Sequence, residues 1–334
     1  MTGQQPLVLI IGSTGNTGNG ITKALVASGN FRVAALIRPS SLDKPAVSEL
    51  RAQGIEIRAG DIKDDSESLK KVLEGVDILI STVVRSAIQD QRDIFRAAKE
   101  VGVQRVIPCD FGSPGARGVR YLHDEKLEIR DFVKELGIPH TFIDVGWWSQ
   151  LYLPLPIRSH APQVMKELTW RIYGDGSVRL LVTHHPNIGK YVARIIADPR
   201  TLNHAVIVWE DEVSQEEAHE IGERVSGEGD VLKEKRIICT KEDCLDAIAA
   251  AEATIKVQPN DLLAHALRNM NQFRLSMHVL GENTLETAKK LGYLDVRELY
   301  PDITPLSLEE VAKEFYSKTD PGALYTDNLN RQSR

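Results

Sequence analysis

A lysine stands on the apolar stripe of the segment YLHDEKLEIRDFVKEL. Leu122, Ile129, Val133 and Leu136 recur at intervals of seven, four and three, the spacing of a helix face turned toward a core. Lys126 belongs to that stripe. An amine is rarely buried without a task. Either its stem runs over apolar surface and puts the charge in water, or the stripe faces a site where an amine passes a proton. His123, one turn earlier, is either a relay for that proton or an exposed helix histidine.

A second constellation is GSTGNTG, comprising Gly12, Ser13, Thr14, Gly15, Asn16, Thr17 and Gly18, which ends an apolar run and opens a helical one. Strand before and helix after are the context of a dinucleotide-binding loop. Gly12 allows the tight turn, Gly15 the close approach of phosphate, and Gly18 close helix–strand packing. Backbone N–H groups at the helix start then hold the pyrophosphate. The bland alternative is a glycine-rich turn without a ligand.

The residue ending the second strand separates the two nicotinamide cofactors. An acid there bonds the ribose 2′-hydroxyl of NAD, but AALIRPSS places Arg38 at that point, with Lys44 six residues on. A guanidinium takes a 2′-phosphate through paired, charge-assisted hydrogen bonds, so the expected cofactor is NADPH. Asp61, after the third strand, either meets the adenine or caps the following helix. Ser81, Thr82 and Val83, after the fourth, are expected near the cofactor's ribose and phosphates.

The elements that must position these groups alternate regularly. LVLIIG (7–12) and FRVAALIR (31–38) are short apolar strands, and amphipathic helices and further strands follow as far as IPHTFIDVG. That rhythm is the signature of an α/β, Rossmann-type doubly wound parallel sheet. The expected division is a cofactor-binding domain over 1–146, a smaller α+β substrate-binding part over 147–320, and a polar tail over 321–334. In the second part the expected elements are a strand at AVIVWE (205–210), helices near 214–226, 241–254 and 260–280, and the helix SLEEVAKEFY.

The composition is that of an ordinary globular protein: 334 residues, 42% hydrophobic and 26% charged. A net charge of −6 lacks the basic footprint needed by nucleic-acid or anionic-membrane binders. No apolar run approaches a membrane span, and MTGQQPLVLIIG enters a strand without a basic leader. The expectation is a cytoplasmic monomer or homodimer. Cys109, Cys239 and Cys244 lack metal-ligand spacing and suit reduced thiols.

GSTGNTG, LIRPS, AGDIKD, KEVGVQRVIPCDFG, the lysine helix, GIPHTFIDVG and ELYPDITPLSLEEVAKEFY together resemble the isoflavone reductase-like and NmrA-like group of atypical short-chain dehydrogenases. That group includes phenylcoumaran benzylic ether reductases and pinoresinol–lariciresinol reductases. The resemblance implies that Phe111 lies by the nicotinamide and that Lys126 is the amine beside the reacting centre. PCDFG stands where plant members usually read PSEFG, so Cys109 and Asp110 replace Ser and Glu; Asp110 is a candidate substrate contact. Trp147 and Trp148 either stack on an aromatic substrate or belong to the core. The Tyr-x-x-x-Lys pair of ordinary short-chain dehydrogenases is absent, Leu122 standing four residues before Lys126.

His184 and His185 in THHPN have no third ligand at metal spacing, so no metal is expected. YGDGS (173–177) reads as a hairpin turn, and DVLKEKR as a solvated, charged strand edge. The expected activity is NADPH-dependent reduction of a phenolic or conjugated aromatic small molecule. Its rivals are a quinone reductase and an NADP(H)-sensing regulator without turnover.

Overall fold

The computed structural model describes residues 5–321, so the polar tail lies outside the described residues from residue 322 onward. Strands β1 (Leu7–Ile11), β2 (Arg32–Ile37), β3 (Glu56–Ala59), β4 (Ile78–Ser81) and β5 (Arg105–Ile107) form a parallel sheet in the order β3-β2-β1-β4-β5. A bridge between Val106 and His140 leads to β6 (Thr141–Asp144). Beyond it the strands His204–Ile207 and Leu294–Asp295 add on in parallel. The expected strand at 205–210 thus returns to the main sheet.

The sheet is covered on both faces, which is why β1 reads as an unbroken apolar run. Its side chains alternate between two cores. Val8 and Ile10 join one with Ile21, Leu25, Tyr191 and Ile195; Leu7, Leu9 and Ile11 join the other with Leu69, Leu73, Phe95, Ile129 and Val133. Helix α1 (Asn16–Ser28) and the helix Ile188–Ala197 cover the first face. They cross so closely that a Cβ on Gly189 would lie 2.3 Å from the Gly20 carbonyl oxygen. On the second face lie α3 (Ser66–Val72), α4 (Gln91–Val101) and α5 (Tyr121–Leu136), while α2 (Pro45–Ala52) follows β2. The doubly wound parallel sheet is as the alternation predicts.

Residues beyond β6 build a third core around Tyr152, Leu153, Leu180, Val182, Met277, Val311 and Phe315. A helical hairpin, Lys241–Val257 and Leu262–Arg274, runs over it and ends in a single π-helical turn, Leu275–Val279. Two local expectations are corrected. DVLKEKR is not a strand edge: Gly229–Glu234 is a helix with Asp230 in its first turn, Lys233 in its last, and Leu232 buried. Those charges complement the helix dipole, and the strand follows at Ile237–Cys239. YGDGS is a turn, with Gly174 and Gly176 at φ +64° and +69°, but it joins no hairpin. The strand before it, Arg171–Tyr173, pairs in parallel with Ile237–Cys239.

Candidate active site

The glycine loop is built by close backbone approach at the carboxyl end of β1. Gly12 turns the chain at φ +79°, and a Cβ there would lie 2.5 Å from the Thr82 carbonyl oxygen. A Cβ on Gly18 would meet the Gly12 carbonyl oxygen at 2.2 Å. Gly15 N–H donates to that same carbonyl at 2.9 Å. Thr82 locks the strand ends together, its hydroxyl donating to the Ile11 carbonyl at 2.7 Å. Helix α1 therefore starts against the sheet with no side-chain cap. Ser13 is fully buried beside it, and its Oγ has no partner among the described residues.

A cleft of about 520 Å³ opens over this loop. Gly12, Ser13, Thr14, Gly15, Arg38, Lys44, Asp61, Thr82 and Val83 all line it. Asn16, Thr17 and Gly18 form the helix start behind them, and Ser81 is buried beneath. Asp61 shapes its own turn, accepting from Lys63 N–H at 3.0 Å; the cap of α3 is Asp65 instead. Ser41, Lys63, Ser86 and Asp90 also line the cleft and escaped the sequence reading. Lys63 is engaged with Asp90 at 3.0 Å. Arg38 and Lys44 are both exposed.

The residues expected to handle a proton stand where β5 and β6 end. Phe111 has φ +42°, a left-handed conformation costing a bulky residue about 1–3 kcal/mol. Backbone contacts to β6 hold it there. Phe111 N–H donates to the Ile143 carbonyl at 2.8 Å, and Val145 N–H to that of Gly112 at 2.8 Å. Gly112 N–H also donates to Asp144 Oδ1 at 3.2 Å. From α5, half-buried Lys126 donates through Nζ to the Asp110 carbonyl at 2.5 Å. The same amine lies 3.5 Å from the position a Cβ on Gly112 would take. The lysine on the apolar stripe is thus anchored to the backbone just before Phe111 and lies close to Gly112 just after it.

Asp110 and His123, expected at the substrate, have their side chains engaged inside the protein. Asp110 Oδ1 lies 3.1 Å from Arg130 Nε, and Arg130 Nη2 lies 2.9 Å from Asp144 Oδ2. The Asp110 contact is an ion pair by distance but misaligned for hydrogen bonding. Tyr293 donates to Asp144 Oδ2 at 2.5 Å and accepts from Arg130 Nη1 at 2.5 Å. Burial pushes the Asp110 carboxyl up to about 6, with Arg130 opposing the rise and Asp144 adding to it. Burial is the largest single influence on Asp144 and acts upward, but the Arg130 charge and the hydrogen bonds from Tyr293 and Arg130 together overcome it and hold that carboxyl well below its usual range. His123 is buried rather than exposed, its Nε2 at 3.1 Å from the Gly115 carbonyl oxygen. Desolvation and then Arg120 lower it to about 3, so the ring is neutral.

Arg120 organises the loop leading into α5, donating to Ser113 Oγ at 2.6 Å and to the Ser113 and Pro114 carbonyls. Arg120, Arg130, Asp144 and Tyr293 were not singled out from the sequence. The one available signal was an arginine four residues after Lys126 in KLEIR. Trp147 and Trp148 form a two-residue strand and point to opposite faces. The first ring lies 6.1 Å from Phe273, the second 4.3 Å from His185, and both are partly exposed.

Residues 4–312 match the model of the NmrA-like family. The chain belongs to that family. Among its NmrA-like relatives is asnovolin J 5′,6′-dehydrogenase of Aspergillus novofumigatus, 35% identical over 92% of this chain and 94% of that one. A phenylcoumaran benzylic ether reductase of Betula pendula is 30% identical over 92% and 98%. Among solved structures, the leucoanthocyanidin reductase–NADPH complex from Vitis vinifera superposes with a TM-score of 0.74 at 25% identity, covering 93% of this chain and 100% of that one. The resemblance read from the motifs is borne out.

The residues of this family member fit a phosphorylated dinucleotide. The loop takes its tight turn against Thr82 and the start of α1 only because Gly12 and Gly18 lack Cβ atoms, and Ser13 offers an orphaned hydroxyl beside it. The end of β2 carries Arg38 and no acid. Among the described residues no group of three His, Cys, Asp or Glu is placed to hold a metal, and no helix is long and apolar enough to cross a membrane.

Proposed function

We propose that this NmrA-like protein is an NADPH-dependent oxidoreductase that reduces a phenolic or conjugated aromatic small molecule, with residues 1–146 holding the cofactor and 147–320 the substrate. The glycine loop, Thr82 and Val83 would hold the pyrophosphate and ribose, Arg38 and Lys44 the 2′-phosphate, and Asp61 the adenine edge. Phe111 would border the nicotinamide. When bound, NADPH supplies hydride to an electrophilic carbon.

The observation that carries the reading is the Lys126 Nζ hydrogen bond to the Asp110 carbonyl. An ammonium has three donors. One is spent on fixing the group, and the others remain for a substrate oxygen. In that position Lys126 gives a proton from Nζ to the oxyanion left by hydride addition. For a phenolic substrate whose benzylic ether must first open, the step requires Nζ as the neutral amine: it takes the phenol proton, and the ether C–O bond breaks with its electron pair leaving on oxygen. The strained backbone at Phe111 and its ties to β6 hold the amine in a fixed place, and fixed placement of a proton donor raises rate. The reductase relatives named for phenylcoumaran benzylic ethers support the substrate class. Of Trp147 and Trp148, partly exposed after β6 and pointing to opposite faces, one would supply an aromatic face to the substrate.

The test is NADPH oxidation against a benzylic-ether lignan model, an isoflavone, an enone and a quinone. Turnover of one of the first three supports the reading and selects the substrate. Turnover of the quinone alone moves the assignment to a quinone reductase. Tight NADPH binding with no turnover of any would contradict the reading in favour of a cofactor-sensing regulator.

A further inference from the structure

Arg171 and Arg274 sit together in the C-terminal part without a carboxylate partner among the described residues. Arg171 shares a face with Tyr173 on the strand Arg171–Tyr173, two residues apart. Arg274 ends the helix Leu262–Arg274 and lies 5.7 Å from the centre of the Tyr173 ring. The chain then enters the π-helical turn Leu275–Val279, a feature frequent at functional sites. His278 on that turn stacks nearly parallel to Tyr173, centres 5.6 Å apart. Arg171 Nε, Arg274 Nη1 and His278 Nδ1 are buried and have no hydrogen-bond partner among the described residues, and the buried Tyr173 hydroxyl faces the Arg171 guanidinium. Tyr173 and His278 are themselves more than nine-tenths buried.

Arginine does not shed its proton, so two positive charges meet in a poorly solvated place, an arrangement that is costly without a counter-charge. No carboxylate closes an ion pair with either guanidinium among the described residues. His278 is neutral, lowered to about 3 by burial and then by Arg274. Burial raises the Cys244 thiol to about 11 and Cys239 likewise above its usual value, so neither offers a thiolate. Asp243 stands at the exposed rim, where its Oδ2 accepts from Thr240 N–H at 2.6 Å and Oγ1 at 3.0 Å; its charge reaches Arg171 from there without forming an ion pair, and Arg274 is left with none. The walls around the charges are apolar: Leu275, Ile248, Val279 and the two thiols.

We propose that Arg171, Arg274, Tyr173 and His278 form a binding site for an oxyanion carried on an apolar body, an aryl or alkyl carboxylate being the class that fits. The carboxylate accepts from the two guanidiniums and the tyrosine hydroxyl, and its hydrocarbon rests against Leu275 and Val279. This site is separate from the cofactor cleft, and its test needs no turnover.

The wild type is titrated with sodium benzoate, and in a second arm with inorganic phosphate, by calorimetry and thermal melting at an ionic strength fixed with chloride. Saturable benzoate binding that raises Tm above the chloride control is expected, weakened at least about tenfold in Arg274→Gln and in Arg171→Gln, as for loss of a charge-assisted hydrogen bond. Phosphate binding more tightly than benzoate would overturn the carboxylate assignment. Without ligand, Arg274→Gln is expected to melt no lower than the wild type, because it relieves the repulsion. If that variant does not fold, half-buried Arg171→Gln decides the binding question alone. No saturable binding above chloride, or binding unchanged in the variants, would overturn the proposal.

Discussion

Arg130 and Asp144 form an ion pair at 2.9 Å with both side chains almost wholly buried. The pair ties α5, which carries Lys126, to the end of β6, and Tyr293 extends it to the C-terminal part through its hydroxyl. Asp110, whose carbonyl anchors Lys126, is the third charged member.

Removing Arg130 takes the one ion-pair partner among the described residues away from two buried carboxylates. Arg130→Met is expected to lose about 3–5 kcal/mol of unfolding free energy, as for breaking one side of a buried pair. Chemical denaturation measures this. A loss below about 1 kcal/mol, the surface-pair range, would mean the network is not buried as described.

The pH dependence of stability follows from groups that pull in opposite directions. His123, His219 and His278 are each lowered to about 3 and His185 to about 4, mainly by burial. A histidine lowered in the fold contributes stability above its unfolded value near 6.5 and loses it as pH falls toward the folded value. Asp110 is raised to about 6, so its contribution runs the other way, being present below the ordinary carboxyl value and lost as pH rises through 6. Four histidines outweigh one carboxyl. Stability should therefore fall as pH drops from about 6.5 toward 4, each differential proton adding about 1.4 kcal/mol per pH unit. In Asp110→Asn the fall over that range should be steeper. Tm against pH reports both.

In the glycine loop, Gly18→Ala should raise the Kd for NADPH at least about tenfold, because the new Cβ meets the Gly12 carbonyl oxygen at 2.2 Å and forces the turn open. Fluorescence titration measures it. Gly20→Ala, two residues on, where a Cβ meets nothing within 4 Å, should leave it unchanged.

Arg38→Ala should lower NADPH affinity by about ten- to a hundredfold, the worth of a charge-assisted hydrogen bond, and leave NADH affinity nearly unaltered. Equal losses for both cofactors would place the 2′-phosphate elsewhere.

Much of this was legible from local pattern. The strands β1, β2 and β4, the glycine loop and the lysine stripe are short-range features, and the structure places each as the spacing implies. The Arg130–Asp144–Tyr293 network was not, because Tyr293 lies 149 residues from Asp144 and pairs with it only through the fold. His123 looked like an exposed helix residue because its cover, the loop folded onto Arg120, has no periodicity to announce it. DVLKEKR misled for a related reason: the six-residue helix Gly229–Glu234 carries too little period to be told from a charged strand.

The central claim is that Lys126 handles the proton. Its most direct test is steady-state and single-turnover NADPH oxidation by the wild type and Lys126→Ala, using the substrate the panel selects, after both are shown to bind NADPH equally. The account predicts that kcat falls by about 10²–10⁴-fold, the usual worth of a positioned acid or base, with NADPH affinity unchanged. A variant that oxidises NADPH at the wild-type rate would contradict it and leave Lys126 as a structural tie between α5 and the end of β5.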